Sequence, residues 1–192
     1  MNLTKSEKGV LILGAREAIH SIFIDTIAPI VDYEYYPSLA EKCGAFVTLL
    51  QDEKLRGCIG YLQSEMTLFD TVCQSAKQAA MNDPRFNPVT ADEVSSIFIE
   101  ISVLSPLQKI SSYDEIEIGT HGLSLEAGPY KSVLLPQVAV THQYSVTQFL
   151  TALCEKAGID PYAWENEMLN VKVFTAEVFS EEGNRKRTYE RV

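Results

Sequence analysis

Cys58 is the residue whose surroundings in the chain best suit chemistry. Arg56 stands two positions before it, and Gly57 and Gly60 flank it, in the run Leu55-Arg56-Gly57-Cys58-Ile59-Gly60. The thiolate is the nucleophilic form of cysteine, and a nearby fixed positive charge favours it. Side chains alternate along a strand, so Arg56 and Cys58 are expected on one face and Leu55, Ile59 and Tyr61 on the other. A glycine inside a strand packs nothing and marks a bulge or a close approach to the backbone. Gly57 and Gly60 are therefore binding candidates beside the thiol and the guanidinium. The competing reading is that Cys58 is a small core hydrophobe, as free cysteines commonly are.

A nucleophilic thiol needs a proton acceptor. His121, after Gly119-Thr120, and His142, in Thr141-His142-Gln143-Tyr144, are loop histidines and candidate bases. Glu100 sits mid-strand in an apolar run. It either pairs with a cation, Arg56 being the candidate, or faces solvent. Arg85 lies in Asp83-Pro84-Arg85-Phe86-Asn87-Pro88, a loop stiffened by two prolines. It either binds an anion or anchors the loop through carbonyls. The cysteines (Cys43, Cys58, Cys73, Cys154) and histidines have neither C-x-x-C pairing nor metal-ligand spacing, so no metal site is expected. Nucleotide loops, H-E-x-x-H and G-x-S-x-G are absent, and the cofactor question stays open.

The elements that position these residues follow from local signals. Ala45 to Leu50 and Leu55 to Tyr61 read as a hairpin joined by a four-residue turn, Gln51 to Lys54. Thr4-x-x-Glu7 and Thr90-x-x-Glu93 are capping boxes. The first opens a helix with the stripe Val10, Leu11, Ala15, Ala18, Ile19 and Ile22. A second helix runs from Thr67 to about Asn82. Tyr33, Tyr35 and Tyr36 belong to a loop packed over a core edge. Ser96 to Leu104 alternates as a strand. Beyond Pro106, Ile116–Ile118, Leu123–Leu125 and Ser132–Leu135 read as short strands. A helix capped at Ser145 ends at Gly158, with Cys73 and Cys154 on apolar helix faces. A helical turn follows Asp160, and Val171 to Phe179 reads as one last strand before a charged, loose tail from Glu181. Three strands thus precede a small strand-and-helix insert and one follows it. This predicts an α+β chain with a discontinuous large subdomain, 1–106 plus 169–192, and a small one, 107–168.

At 192 residues, 46% of them hydrophobic, the chain can bury a real core. Its formal charge is −10, and Arg185, Lys186, Arg187 and Arg191 crowd the C-terminus, leaving the remainder more acidic still. That argues against nucleic acid as a partner. No apolar run approaches the ~20 residues of a membrane helix. The start lacks a signal-peptide pattern, and unpaired cysteines suit a reduced compartment, so a cytoplasmic location is expected. Oligomeric state is not legible.

The hexapeptide Leu55–Gly60 resembles the signature of the AMMECR-one family, which includes protein A of the AmmeMemoRadiSam system. Gly44–Leu49, Asp83–Phe86, Ile101–Ser105, His121–Leu123, Leu134–Ala139 and Cys154–Gly158 resemble family segments in family order, from about Gly9 to about Phe179. The Leu134–Ala139 segment adds Gln137 to the binding candidates, with His142 beyond it. The chain departs from the usual family pattern at Thr141–Tyr144, where many relatives have an acid and a tryptophan, and at Tyr61, where a smaller residue is common. The resemblance implies two antiparallel-sheet subdomains with flanking helices and a cleft between them, into which the hexapeptide side chains point. It implies companions of the Memo and radical-SAM types but no settled reaction. Two functions are then open. One is a thiol enzyme acting on a large substrate, with Cys58 as nucleophile or redox thiol, Arg56 lowering its pKa or holding an anion, and His121 or Glu100 moving protons. The other is a non-catalytic scaffold holding a protein or peptide.

Overall fold

The helix starts form where the sequence places their caps. Thr4 Oγ1 accepts the Glu7 N–H while the Glu7 carboxylate takes the Thr4 N–H, opening α1 (Lys5–His20). Thr67 caps α2 (Leu68–Met81), and Ser145 caps α4 (Val146–Ala157), which stops at Gly158 with φ 76°. The computed structural model describes residues 2–25 and 29–181. These residues form two antiparallel sheets with helices, an α+β fold, and divide into two units. The first unit runs to Leu104 and resumes at Glu177; the second is Ser105–Ala176.

The sheet of the first unit has the order β2 (Lys54–Tyr61), β1 (Ala45–Gln51), β3 (Phe98–Leu104), β8 (Ala176–Ser180). Val47 lies between Ile59 and Ile101 in register, and these side chains face the helices. Leu11, Ala15 and Ile19 of α1, Val72 and Ala76 of α2, and Val47, Leu49, Ile99 and Ile101 form one core. Each of these leucine, isoleucine and valine side chains contributes roughly 2 kcal/mol when fully buried. Cys73 packs against this core, as do Tyr33 and Tyr36, whereas Tyr35 stays exposed.

The second unit carries a sheet of order β4 (Gln108–Lys109), β7 (Val171–Phe174), β5 (Gly122–Ala127), β6 (Tyr130–Leu134). Phe149, Leu150, Leu153 and Cys154 of α4 pack on Leu123, Leu125, Val171 and Val173. Two short helices, α3 (Pro136–Thr141) and α5 (Ala163–Asn166), complete it.

Four local expectations change. Ile116–Ile118 is not a strand. Ser112 and Glu115 form a capping box around a helical turn, Tyr113–Glu115, and the chain then turns as far as Thr120. The last strand, expected as one run from Val171, is two. Thr175 leaves the ladder and bonds Ser105 in both directions, so β7 joins the second sheet and β8 the first. Alternation reveals a strand but not which sheet it joins. The tail expected from Glu181 starts anchored. Its carboxylate takes the Arg16 guanidinium at 2.6 Å and the Ile99 N–H at 3.0 Å; the remaining tail, 182–192, lies outside the described residues.

The fourth change is the hairpin. β1 and β2 are joined by only Asp52 and Glu53, at φ 50° and 64°. Two-residue hairpin loops with positive φ at both positions match strand twist, and Asp tolerates that conformation as Gly and Asn do, but a longer side chain such as that of Glu53 resists it. Glu53→Gly should therefore raise stability by about 1 kcal/mol, read as a higher urea midpoint with an unchanged slope.

Candidate functional site

The site is built on β2, which has a partner strand on one side only. Between Leu49/Leu50 of β1 and Leu55/Gly57 of β2 the register slips by one, leaving Arg56 as the extra residue of a β-bulge. The bulge sends Arg56 away from simple alternation. Its Nε reaches Glu93 Oε1 at 2.9 Å, Nη2 reaches Glu93 Oε2 at 3.2 Å, and the carbonyls of Asn87 and Pro88 take further bonds. The Arg56 guanidinium, together with the Thr90 N–H, holds the Glu93 carboxyl at about 2. The carboxylate paired with Arg56 is thus Glu93 in the helical turn Ala91–Ser96, rather than Glu100.

Cys58 faces Thr48 across the ladder, and Thr48 faces Glu100 on β3. Directly opposed residues share a face, so Cys58, Thr48 and Glu100 make one cross-strand row. The Thr48 hydroxyl donates to Cys58 Sγ at 3.4 Å. On the outer edge, the Cys58 N–H donates to Asp83 Oδ2 at 2.8 Å, and the Cys58 carbonyl accepts from Arg85 Nη2 at 3.3 Å. Asp83 and Arg85 therefore occupy the place where another strand would pair. The side chain of Asp83 is 2% exposed and carries four donors: Cys58 N–H, Arg85 N–H, Nε and Nη2. Burial pushes this carboxyl up, but the Arg85 and Cys58 bonds outweigh burial and leave it at about 2. Arg85 also lies over the Phe86 ring, 5.5 Å from its centroid.

Burial raises the Cys58 thiol above its ordinary value. The Thr48 bond and the Arg85 charge pull it down, Asp83 and Glu100 push it up, and the net direction is upward. A raised thiol is protonated at neutral pH and is a poor nucleophile. The cation acting on it belongs to Arg85, whose loop is anchored through the Cys58 carbonyl.

The two glycines admit parts of the protein itself. A Cβ on Gly57 would lie 2.2 Å from the Ala79 carbonyl of α2, and one on Gly60 would lie 2.5 Å from Phe46 Cα. Of the other predicted residues, His121, Gln137 and His142 belong to the second unit. His121 Nδ1 accepts the Glu117 N–H at 3.1 Å and closes the turn before β5. Gln137 lies in the first turn of α3, and His142 caps its end, stacked on Tyr144 with ring centroids 5.1 Å apart. No group of three His, Cys, Asp or Glu among the described residues is arranged to hold a metal, and no described helix is long and apolar enough to cross a membrane.

Asp83, Thr48 and Glu93 were not legible as site residues. Asp83 carried one signal, a carboxylate placed before Pro84 and two positions from Arg85. An Asp before Pro cannot comfortably continue α2 and bonds its own backbone two residues on.

Similarity to other proteins extends along most of the chain. Protein MJ0810 of Methanocaldococcus jannaschii is 41% identical over 157 residues, 77% of this chain and 78% of that protein. Protein PF1979 of Pyrococcus furiosus is 42% identical over 156 residues, 76% of this chain and 74% of that one. The crystal structure of uncharacterized protein PH0010 from Pyrococcus horikoshii superposes with a TM-score of 0.82 at 38% identity, covering 92% of this chain and 94% of that one. The AMMECR1 family itself matches residues 13–179, and the chain belongs to that family.

Proposed function

We propose that the chain is a non-catalytic scaffold of the cytoplasm that binds a protein or peptide partner, and that Cys58 stays a protonated thiol throughout. The observation that carries this reading is the commitment of Asp83, Arg85 and Arg56 to holding the strand. Asp83 and Arg85 bind its backbone, and Arg56 is tied to Glu93 and two carbonyls. Such an arrangement rigidifies a surface and leaves the Asp83 carboxylate, already accepting four hydrogen bonds, engaged elsewhere than at the thiol. The companions implied by family resemblance, of the Memo and radical-SAM types, are the first partners to test.

A thiol enzyme is the second reading, favoured by one contact: the Thr48 hydroxyl, 3.4 Å from Sγ, would stabilise a thiolate. Iodoacetamide labelling followed by peptide mass mapping separates the two. Under the scaffold reading Cys58 reacts more slowly than free cysteine at pH 7, and its rate still climbs at pH 9. A purified companion binds wild type and Cys58→Ala equally. Preferential labelling of Cys58 at pH 6 to 7, with a plateau there, would overturn the scaffold reading.

A further inference from the structure

The second unit holds a groove of about 430 Å³ that the Cys58 site does not use. It lies along the outer side of α4, lined by Tyr144, Thr151, Glu155, Tyr162, Trp164 and Glu165 among others, with no Lys, Arg or His in the lining. Two of the aromatic walls, Trp164 and Tyr144, are fixed in place. Trp164 Nε1 donates to Thr151 Oγ1 at 3.1 Å, and the indole stands edge-on to Tyr113 with centroids 6.2 Å apart. Tyr144 is stacked on His142. Tyr162 is 57% exposed, a large aromatic surface left in water. The carboxylates of Glu155 and Glu165 form no ion pair with any described residue.

Rigid aromatic faces attract cations through their negative π surfaces, and carboxylates beside them select the same charge. A neutral apolar ligand would leave both carboxylates next to its buried surface, and an anion would meet two like charges. The net charge of −10 adds long-range attraction for a cationic partner. We propose that this groove binds a basic peptide segment of a partner protein, an arginine or lysine side chain lying against Trp164 and Tyr162 with its charge met by Glu155 and Glu165. This deepens the scaffold reading by naming the chemistry of the partner. The two fail separately, because Cys58 labelling does not report on the groove.

Trp164 is the only tryptophan of the chain, so its fluorescence reports the groove directly. The probe is tetra-arginine amide, with tetra-citrulline amide as the neutral isostere. The expected result is a saturable change in Trp164 emission with tetra-arginine and none with tetra-citrulline. Affinity should fall about tenfold in the Glu155→Gln/Glu165→Gln protein and weaken in 0.5 M salt. Both substitutions are at exposed positions, and a thermal melt confirms folding. The comparison protein Glu41→Gln/Glu65→Gln, equal in charge but altered in the first unit, should bind like wild type. Equal loss in both double variants, binding of tetra-citrulline, or no saturable change would overturn the proposal.

Discussion

Asp83→Asn is expected to destabilise the first unit by about 3 kcal/mol, the cost of breaking a buried charged network by removing one partner. Asp83 serves four donors, two of them on the Arg85 side chain, and its Oδ2 accepts the Cys58 N–H on the strand edge. An asparagine can accept at one atom but presents an amide group to the others. The effect should carry a pH signature. Asp83 is held at about 2, below its ordinary 3.8. A lowered carboxyl stabilises the fold fully above the unfolded value, and that contribution is lost as pH falls from about 4 through about 2. The linked part amounts to roughly 2 kcal/mol, somewhat less after screening of Arg85, which is half exposed. Urea midpoints of wild type and Asp83→Asn should therefore stand well apart at pH 7 and converge toward pH 2. A gap independent of pH would mean that the carboxylate charge plays no part.

Gly57→Ala is expected to cost about 3 kcal/mol through overpacking. The added methyl meets the Ala79 carbonyl at 2.2 Å and the Ala79 carbonyl carbon at 3.1 Å, and both belong to the backbone of a buried helix that cannot swing aside. Either β2 or α2 must move. Because Asp83 follows the end of α2 directly, displacing the helix should also pull Asp83 from the Cys58 N–H, and labelling of Cys58 should accelerate. Gly9→Ala is the internal control. Its methyl meets nothing within 4 Å, and alanine is the better helix former, so this variant should gain up to about 1 kcal/mol. A stable Gly57→Ala protein with unchanged Cys58 labelling would show that the close approach of helix and strand is not required. Glycine at this position thus has a structural cause: it lets α2 settle on the strand and deliver the Asp83–Arg85 pair to the strand edge.

The features readable without coordinates were those whose causes lie within a few residues. Thr4 with Glu7, Ser145 with Gln148, and Gly158 at a helix end satisfy backbone groups next to themselves, so spacing alone identifies them. The alternation of Ile97, Ile99, Ile101 and Val103 announced β3 because these apolar residues share the face turned to the first core. The α+β class and the hexapeptide as a focal strand followed from such signals and from family resemblance. What needed tertiary structure were choices between distant partners. Arg56 had Glu100 as its expected partner but pairs with Glu93, and the bulge that decided for Glu93 arises from a register slip against β1, invisible in β2 alone. Arg85 had both an anion and a carbonyl open to it; packing of α2 on Gly57 brought the Cys58 carbonyl within reach. The run after Val171 carried one pattern but was divided between two sheets by the bond between Thr175 and Ser105, residues 70 positions apart. The amino-acid sequence determined which segments are helices and strands because those interactions are local; tertiary structure decided which charge meets which, because a long side chain has several partners in reach and only packing removes all but one.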